Sequence, residues 1–177
     1  LLCVGNLEPR KNLLGVIRAF EDIAATVPHD LVLIGKRGWR CGPIFAAMGS
    51  SPVAARIRWL GYVPEAELPA LYCGADLLVQ WSWHEGFGLA PLEAMACGTP
   101  AVVSDGGALP EVAGPAARVV PLSAGSGGLA EALLELIAQA ELRGELGRQG
   151  RQYVGRFTWR EHARTMLRAY REAAGEQ

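Results

Sequence analysis

The sequence predicts an α/β fold: a doubly wound parallel sheet of about six strands with a helical C-terminal end. Three observations predict it. Short, continuously apolar runs bounded by Gly, Pro or Asp recur along the chain, the pattern of strands buried on both faces. Segments of helical periodicity lie between them, and alternating β and α units imply a parallel sheet covered by helices on both sides. The 177 residues are 50% hydrophobic and 20% charged, a globular composition with enough length for one domain and its core.

The strand candidates, in order, are Leu1–Gly5, Leu31–Gly35, Ile57–Leu60, Asp76–Trp81, Ala101–Ser104 and Ala117–Pro121. The first helix candidate, Leu13–Thr26, sets Val16, Ile17, Phe20 and Ile23 on one face. Pro43–Met48, Glu65–Tyr72 and Leu89–Cys97 are shorter, and Ala108–Val112 is about one turn. Leu129–Ala140, Leu142–Val154 and Arg160–Ala174 form the helical end. Gly125-Ser-Gly-Gly128 reads as a short surface loop, so residues 1–177 are expected to form a single domain. In such sheets ligands bind beyond the carboxyl ends of the strands, where the strand order reverses. The loops after the first, second, fourth and fifth strands are therefore the places for a site.

Bulk properties exclude several classes. Net charge is −1, so no global field recruits nucleic acid. No apolar run approaches the roughly 18 residues of a membrane span, and no signal peptide is visible. Cys3, Cys41, Cys73 and Cys97 form no C-x-x-C pair, which argues against zinc and points to reduced thiols. Cys3 and Cys97 read as small core residues. No metal-ligand cluster stands out, and His29, His84 and His162 have no nucleophile to serve. The chain starts in what reads as a strand already under way, so it is expected to be a piece of a longer protein.

The most informative stretch is Glu85-Gly-Phe-Gly-Leu-Ala-Pro-Leu-Glu93. Gly86 and Gly88 allow close backbone approach and positive φ. The amides near Phe87, Gly88 and Leu89 open a helix, where bare N–H groups bind anions. Glu85 falls in the loop and Glu93 a little over one helical turn on, on the order of 10 Å away at 1.5 Å rise per residue. That is too far for a glycosidase-type carboxylate pair sharing one bond; it fits two hydroxyl groups at opposite ends of an extended ligand. His84, beside Trp83, is a further contact candidate or a structural loop residue.

Other loops offer cations. Arg10 and Lys11 precede the first helix, where they reinforce its positive end toward a diphosphate or are merely solvated. Asn12 can be a plain N-cap. Gly35-Lys-Arg-Gly-Trp-Arg40 reads more readily as a solvated loop than as a phosphate or acceptor contact. Backbone at Tyr62 and Val63 can read a base edge. Glu111, after Ser104-Asp-Gly-Gly107, is a surface acid or a loop support.

These residues resemble the C-terminal, nucleotide-sugar-binding domain of retaining GT-B glycosyltransferases of family four, the glycosyl transferases group 1. The resemblance rests on residues 4–12, 60–65 with 68–72, and above all 85–100, with Ser104-Asp105, Pro110-Glu111 and Phe157-Thr-Trp159 added. It covers nearly the whole chain and implies a Rossmann-like fold, one half of a GT-B architecture. It implies that Glu85 binds donor-sugar hydroxyls, Glu93 the nucleotide ribose and Lys11 the diphosphate, with Glu85 and Lys11 nearest the chemistry. The Gly86, Phe87, Gly88 and Leu89 amides then contact phosphate and sugar, and Gly5, Asn6, Arg10, Tyr62, Val63 and His84 complete the donor site. Asn6 departs from the pattern, since many relatives carry Arg there; Arg10 can compensate.

The implied activity is retaining transfer of a sugar, mannose-like by subgroup, from a GDP- or UDP-linked donor to a glycan or lipid-linked acceptor in polysaccharide biosynthesis. It implies no metal and no cofactor, a cytoplasmic location open to the inner face of the membrane, and a preceding acceptor domain before Leu1 without which this piece is inactive. Competing readings are a non-catalytic nucleotide-sugar module, a GT-B epimerase, and a nicotinamide oxidoreductase. The last needs Gly-x-Gly-x-x-Gly after the first strand, and Gly5-Asn-Leu-Glu-Pro9 lacks it.

Overall fold

The computed structural model describes residues 1–175. Six parallel strands form one sheet: β1 (Leu2–Val4), β2 (Leu31–Ile34), β3 (Ile57–Gly61), β4 (Leu78–Gln80), β5 (Ala101–Ser104) and β6 (Arg118–Val120). Their order is β3-β2-β1-β4-β5-β6, the doubly wound topology expected. Register is set at Leu2, which pairs with Val32 on one side and Leu78 on the other. The order reverses between β1 and β4, and the crevice beyond their carboxyl ends is where the site lies.

Among the described residues eight α-helices connect and cover the strands: α1 (Leu13–Ile23), α2 (Gly42–Ser50), α3 (Leu68–Cys73), α4 (Leu89–Ala96), α5 (Leu109–Ala113), α6 (Gly125–Ala138), α7 (Ala140–Val154) and α8 (Trp159–Ala174). Strand side chains alternate between two cores, as the period of two dictates. Cys3, Leu33, Val79 and Val102 face a core shared with α1 and α6, which includes Phe20, Ile17 and Leu133. Leu2, Leu78, Ala101 and Val103 face the opposite core, with Tyr72, Met95 and Leu109. The fully buried Phe20 anchors the predicted stripe of α1, and truncating such a ring to Ala costs about 3–5 kcal/mol. Burial also pushes the Cys3 thiol up to about 12, consistent with the inert core residue expected.

Three expectations need correction. The first helix ends at Ile23 rather than Thr26, whose hydroxyl donates to the Ile23 carbonyl at 2.8 Å. Gly125-Ser-Gly-Gly128 is the first turn of α6, not a loop. Only one turn of glycines is involved, and the following Leu129, Leu133 and Leu136 are buried, so tertiary packing overrides the local propensity. Asn12 occupies the N-cap position of α1, but in a left-handed conformation (φ 50°) and without a capping hydrogen bond.

The C-terminal α8 differs from the rest. It is capped by Thr158, whose hydroxyl accepts from the Glu161 amide at 3.1 Å, yet none of its residues is buried, and Trp159 is 87% exposed. Among the described residues no helix is long and apolar enough to cross a membrane.

Candidate functional site

The loops that follow β1 and β4 meet at Glu85, whose carboxylate is buried at 7% exposure. Oε1 accepts from the Ser82 hydroxyl at 2.8 Å and pairs with Lys11 Nζ at 2.7 Å. Oε2 accepts from Arg10 Nη1 at 2.7 Å. That same nitrogen donates to the His84 carbonyl at 2.8 Å, and Nη2 donates to Glu8 Oε1 at 2.7 Å. The Trp83 amide donates to the Arg10 carbonyl at 2.9 Å, so backbone and side chains both bind the two loops together. The two cations and the acid, read from sequence as separate ligand groups, are partners of one another.

Burial, the largest single influence, pushes the Glu85 pKa up; the bonds from Lys11 and Arg10, the Lys11 charge and the Ser82 hydroxyl together outweigh it. The net shift is downward, so Glu85 is a carboxylate at neutral pH. The guanidinium of Arg10 is shifted upward, chiefly by its bond to Glu85.

The loop after β5 supports this arrangement from below. The Ser104 hydroxyl donates to the Ser82 carbonyl at 2.6 Å, and the Ala108 amide donates to the Glu85 carbonyl at 2.9 Å. Asp105 accepts from the Leu122 amide at 2.8 Å, while Glu111 is exposed on α5.

Beyond Glu85 the chain turns into α4. Gly88 has φ 106°, and a Cβ there would lie 2.8 Å from Leu109 Cδ2, so this position requires glycine. Gly86, expected to share that conformation, does not: its φ is ordinary and a Cβ would meet open space. Among the described residues, the amides of Gly86, Phe87, Gly88 and Leu89 have no hydrogen-bond acceptor. They are the bare donors at the positive end of α4 that the spacing predicts. Phe87 is exposed and packs edge-on against Phe157, centroids 6.3 Å apart. His84 is exposed, and it is its carbonyl rather than its ring that the site uses.

Glu93 projects from α4 as an exposed acid and accepts from the Tyr72 hydroxyl at 2.7 Å. Tyr72 is 1% exposed, and burial together with Glu93 raises its phenol well above the usual range. Glu93 is therefore aimed by a buried donor. Toward the β3 edge, Tyr62 is exposed beneath the Lys36 ammonium, 4.7 Å from the ring centroid, and Val63 is half-buried. The stem of Lys11 crosses Gly5, where a Cβ would lie 3.0 Å from Lys11 Cε, and Asn6 is exposed beside it. Arg37 stacks on Phe45 and Trp59 at 4.2 and 5.1 Å, so part of the cationic second loop is packing.

Ser82 and Tyr72 were not singled out from sequence. Ser82 stands three residues before Glu85, and that spacing was a usable signal. Tyr72 lies 21 residues before Glu93, on a different helix, and carries no local signal. Among the described residues, no group of three or more His, Cys, Asp or Glu comes together as a metal site.

Comparison with known proteins adds four findings. The sequence profile described as glycosyl transferases group 1 matches residues 1–153. O-antigen chain mannosyltransferase B of Escherichia coli is 42% identical over 120 residues, 67% of this chain and 32% of that protein. D-inositol 3-phosphate glycosyltransferase of Segniliparus rotundus is 32% identical over 175 residues, 96% of this chain and 39% of that protein. The chain thus spans well under half the length of these two relatives. In structure it is similar to sucrose-phosphate synthase from Thermosynechococcus elongatus, with a TM-score of 0.85 and 27% identity over 98% of this chain and 45% of that one.

Proposed function

The chain belongs to the glycosyl transferases group 1 family, and on that premise we propose that it is the donor-binding half of a glycosyltransferase. The full-length protein transfers a sugar from a nucleoside-diphosphate sugar, GDP- or UDP-linked, to a glycan or lipid-linked acceptor, with retention and without metal or cofactor. A preceding domain of the same protein supplies the acceptor wall, and the isolated piece is inactive. The 42% identity to a mannosyltransferase supports mannose as the donor sugar. The proposal includes a cytoplasmic location, peripheral to the inner face of the membrane.

One observation carries this reading: a buried acid, Glu85, clasped by Lys11 and Arg10, stands next to four amides at the start of α4 that have no acceptor among the described residues. A diphosphate takes the amides and the Lys11 ammonium, and Glu85 turns to the sugar hydroxyls. Glu93, aimed by Tyr72, takes the ribose. When the bond from the anomeric carbon to the phosphate oxygen breaks, its electron pair stays on the diphosphate, and these fixed donors stabilise that charge without reorganising.

Calorimetric titration of the chain with uridine, guanosine and adenosine diphosphate sugars tests the reading. One series binds to the wild type and weakens in Glu93→Ala. Absence of binding by all three series overturns it, and sugar transfer by the isolated chain overturns the half-site.

A further inference from the structure

A cavity of about 520 Å³ has neither Glu85 nor Lys11 in its lining. It sits at the carboxyl ends of the strands, where the N-termini of α1, α2 and α6 converge. Its floor is apolar, built from Leu13, Ile44, Trp81 and Leu122. Trp83, two residues before Glu85, is part of its wall, so the loop that carries Glu85 also borders this cavity. A volume of this size is that of a small-molecule site.

Two guanidinium groups border it, from Arg18 on α1 and Arg40 before α2. Both are exposed, and among the described residues neither forms an ion pair; Arg40 lies only over the Trp39 ring, 5.5 Å from its centroid. Asn12 also lines the cavity. It is 7% exposed, and among the described residues its carboxamide makes no hydrogen bond. The amide lines the cavity, where its donor and acceptor are open to a ligand. Asn12 and Arg40 are also the two non-glycine residues with positive φ among the described residues, at 50° and 49°. Strain of this kind persists where the surroundings over-determine a site.

An apolar hollow of this size selects an aliphatic or terpenoid chain. Two unpaired guanidinium groups, a free amide and three converging positive helix ends select a compact anion of more than one charge. We propose that the cavity binds a phosphate monoester carried on an aliphatic chain, the phosphate between Arg18, Arg40 and Asn12 and the chain against Leu13, Ile44 and Leu122. This makes it an acceptor-side subsite next to the donor site. That placement rests on the proposed glycosyltransferase reading; the binding itself does not.

The probe is decyl phosphate below its micellar concentration, titrated calorimetrically into the 177-residue chain, with decanol and inorganic phosphate as half-ligands. Saturable binding is expected for decyl phosphate, at least tenfold weaker for either half-ligand and at least tenfold weaker in the double variant Arg18→Ala with Arg40→Gly. Arg40→Gly suits a positive φ, so circular dichroism of this variant should match the wild type. Lys11→Met should bind decyl phosphate as the wild type does, which separates this cavity from the donor site even if no nucleotide binds. Equal binding of decanol overturns the anion seat, and equal binding of inorganic phosphate overturns the apolar one. Binding only to anionic phospholipid vesicles, with none of the monomer, overturns the cavity in favour of a membrane surface.

Discussion

Lys11 Nζ lies 2.7 Å from Glu85 Oε1, and this is the same ammonium assigned to the donor diphosphate. The candidate site therefore carries its own anion. Glu85 holds Lys11 and Arg10 in place, and on the proposed reading a diphosphate would compete with it for one of them. Such an exchange would free a carboxylate oxygen of Glu85 for the sugar.

Removing the ammonium tests the competition from one side. Lys11→Met leaves Glu85 with Arg10 and Ser82 and should fold normally. A lost charge-assisted bond of about 1.5–3 kcal/mol predicts nucleoside diphosphate binding about 10–100-fold weaker by calorimetry. Unchanged affinity would remove Lys11 from the donor site.

Neutralising the acid tests it from the other side. Glu85→Gln removes the built-in competitor, so free nucleoside diphosphate should bind as well or better than to the wild type. The preference for the sugar-linked form over the free diphosphate should shrink. A large loss of free-diphosphate affinity would contradict the exchange.

The Tyr72–Glu93 bond, 2.7 Å long, predicts a graded pair of variants. Tyr72→Phe leaves the acid in place but unaimed and should weaken nucleotide binding by about 1 kcal/mol, a few-fold. Glu93→Ala should cost more than Tyr72→Phe. The reverse order would make Tyr72 the ligand and Glu93 its support.

Acid stability follows from Glu85. Its folded pKa lies below the ordinary 4.5, so the stabilisation it provides is full above that value and is lost as pH falls through the folded pKa. The melting temperature should hold from neutral pH to about 5 and then fall. In Glu85→Gln the acid limb should be shallower. Parallel limbs would show that Glu85 has no part in it.

Gly107 bears on the site through the backbone. Its φ is 67°, and a Cβ would lie 2.4 Å from the Glu85 carbonyl and 2.8 Å from His84 Nδ1. Gly107→Ala should lose about 1–3 kcal/mol, seen as a lower urea midpoint at unchanged slope, and should weaken donor binding by displacing the Glu85 loop. A wild-type midpoint would show that the loop yields freely.

The sheet was legible because its cues are local. Ala101–Ser104 is a run of small and β-branched residues between Pro100 and Asp105, and the structure keeps those bounds. The Glu85-Gly-Phe-Gly run announced a turn into a helix, and α4 starts at Leu89 as read. What sequence could not show were relations across elements. The grip of Arg10 and Lys11 on Glu85 needs the reversal between β1 and β4, and the Tyr72–Glu93 bond needs α3 laid against α4. The glycines before Leu129 misled because local propensity was weighed without the core that α6 completes. Asn12 does stand at the N-cap of α1, the alternative the sequence offered, but the residue type alone could not show that its side chain makes no capping bond.

The strand order also has a temporal side. β1 lies in the middle of the sheet, with Leu2 paired to Val32 and to Leu78. At a synthesis rate of about 5–20 residues per second, the stretch from Leu2 to Leu78 takes on the order of 4–15 s to emerge. For that interval at least one edge of β1 is bare, and no local hairpin can cover it because both its neighbours are parallel and distant. β2 and β3 can add on one side as they emerge, but the second edge of β1 is covered only after β4 arrives, so newly made chains stopped before residue 78 should be the ones that chaperones retain.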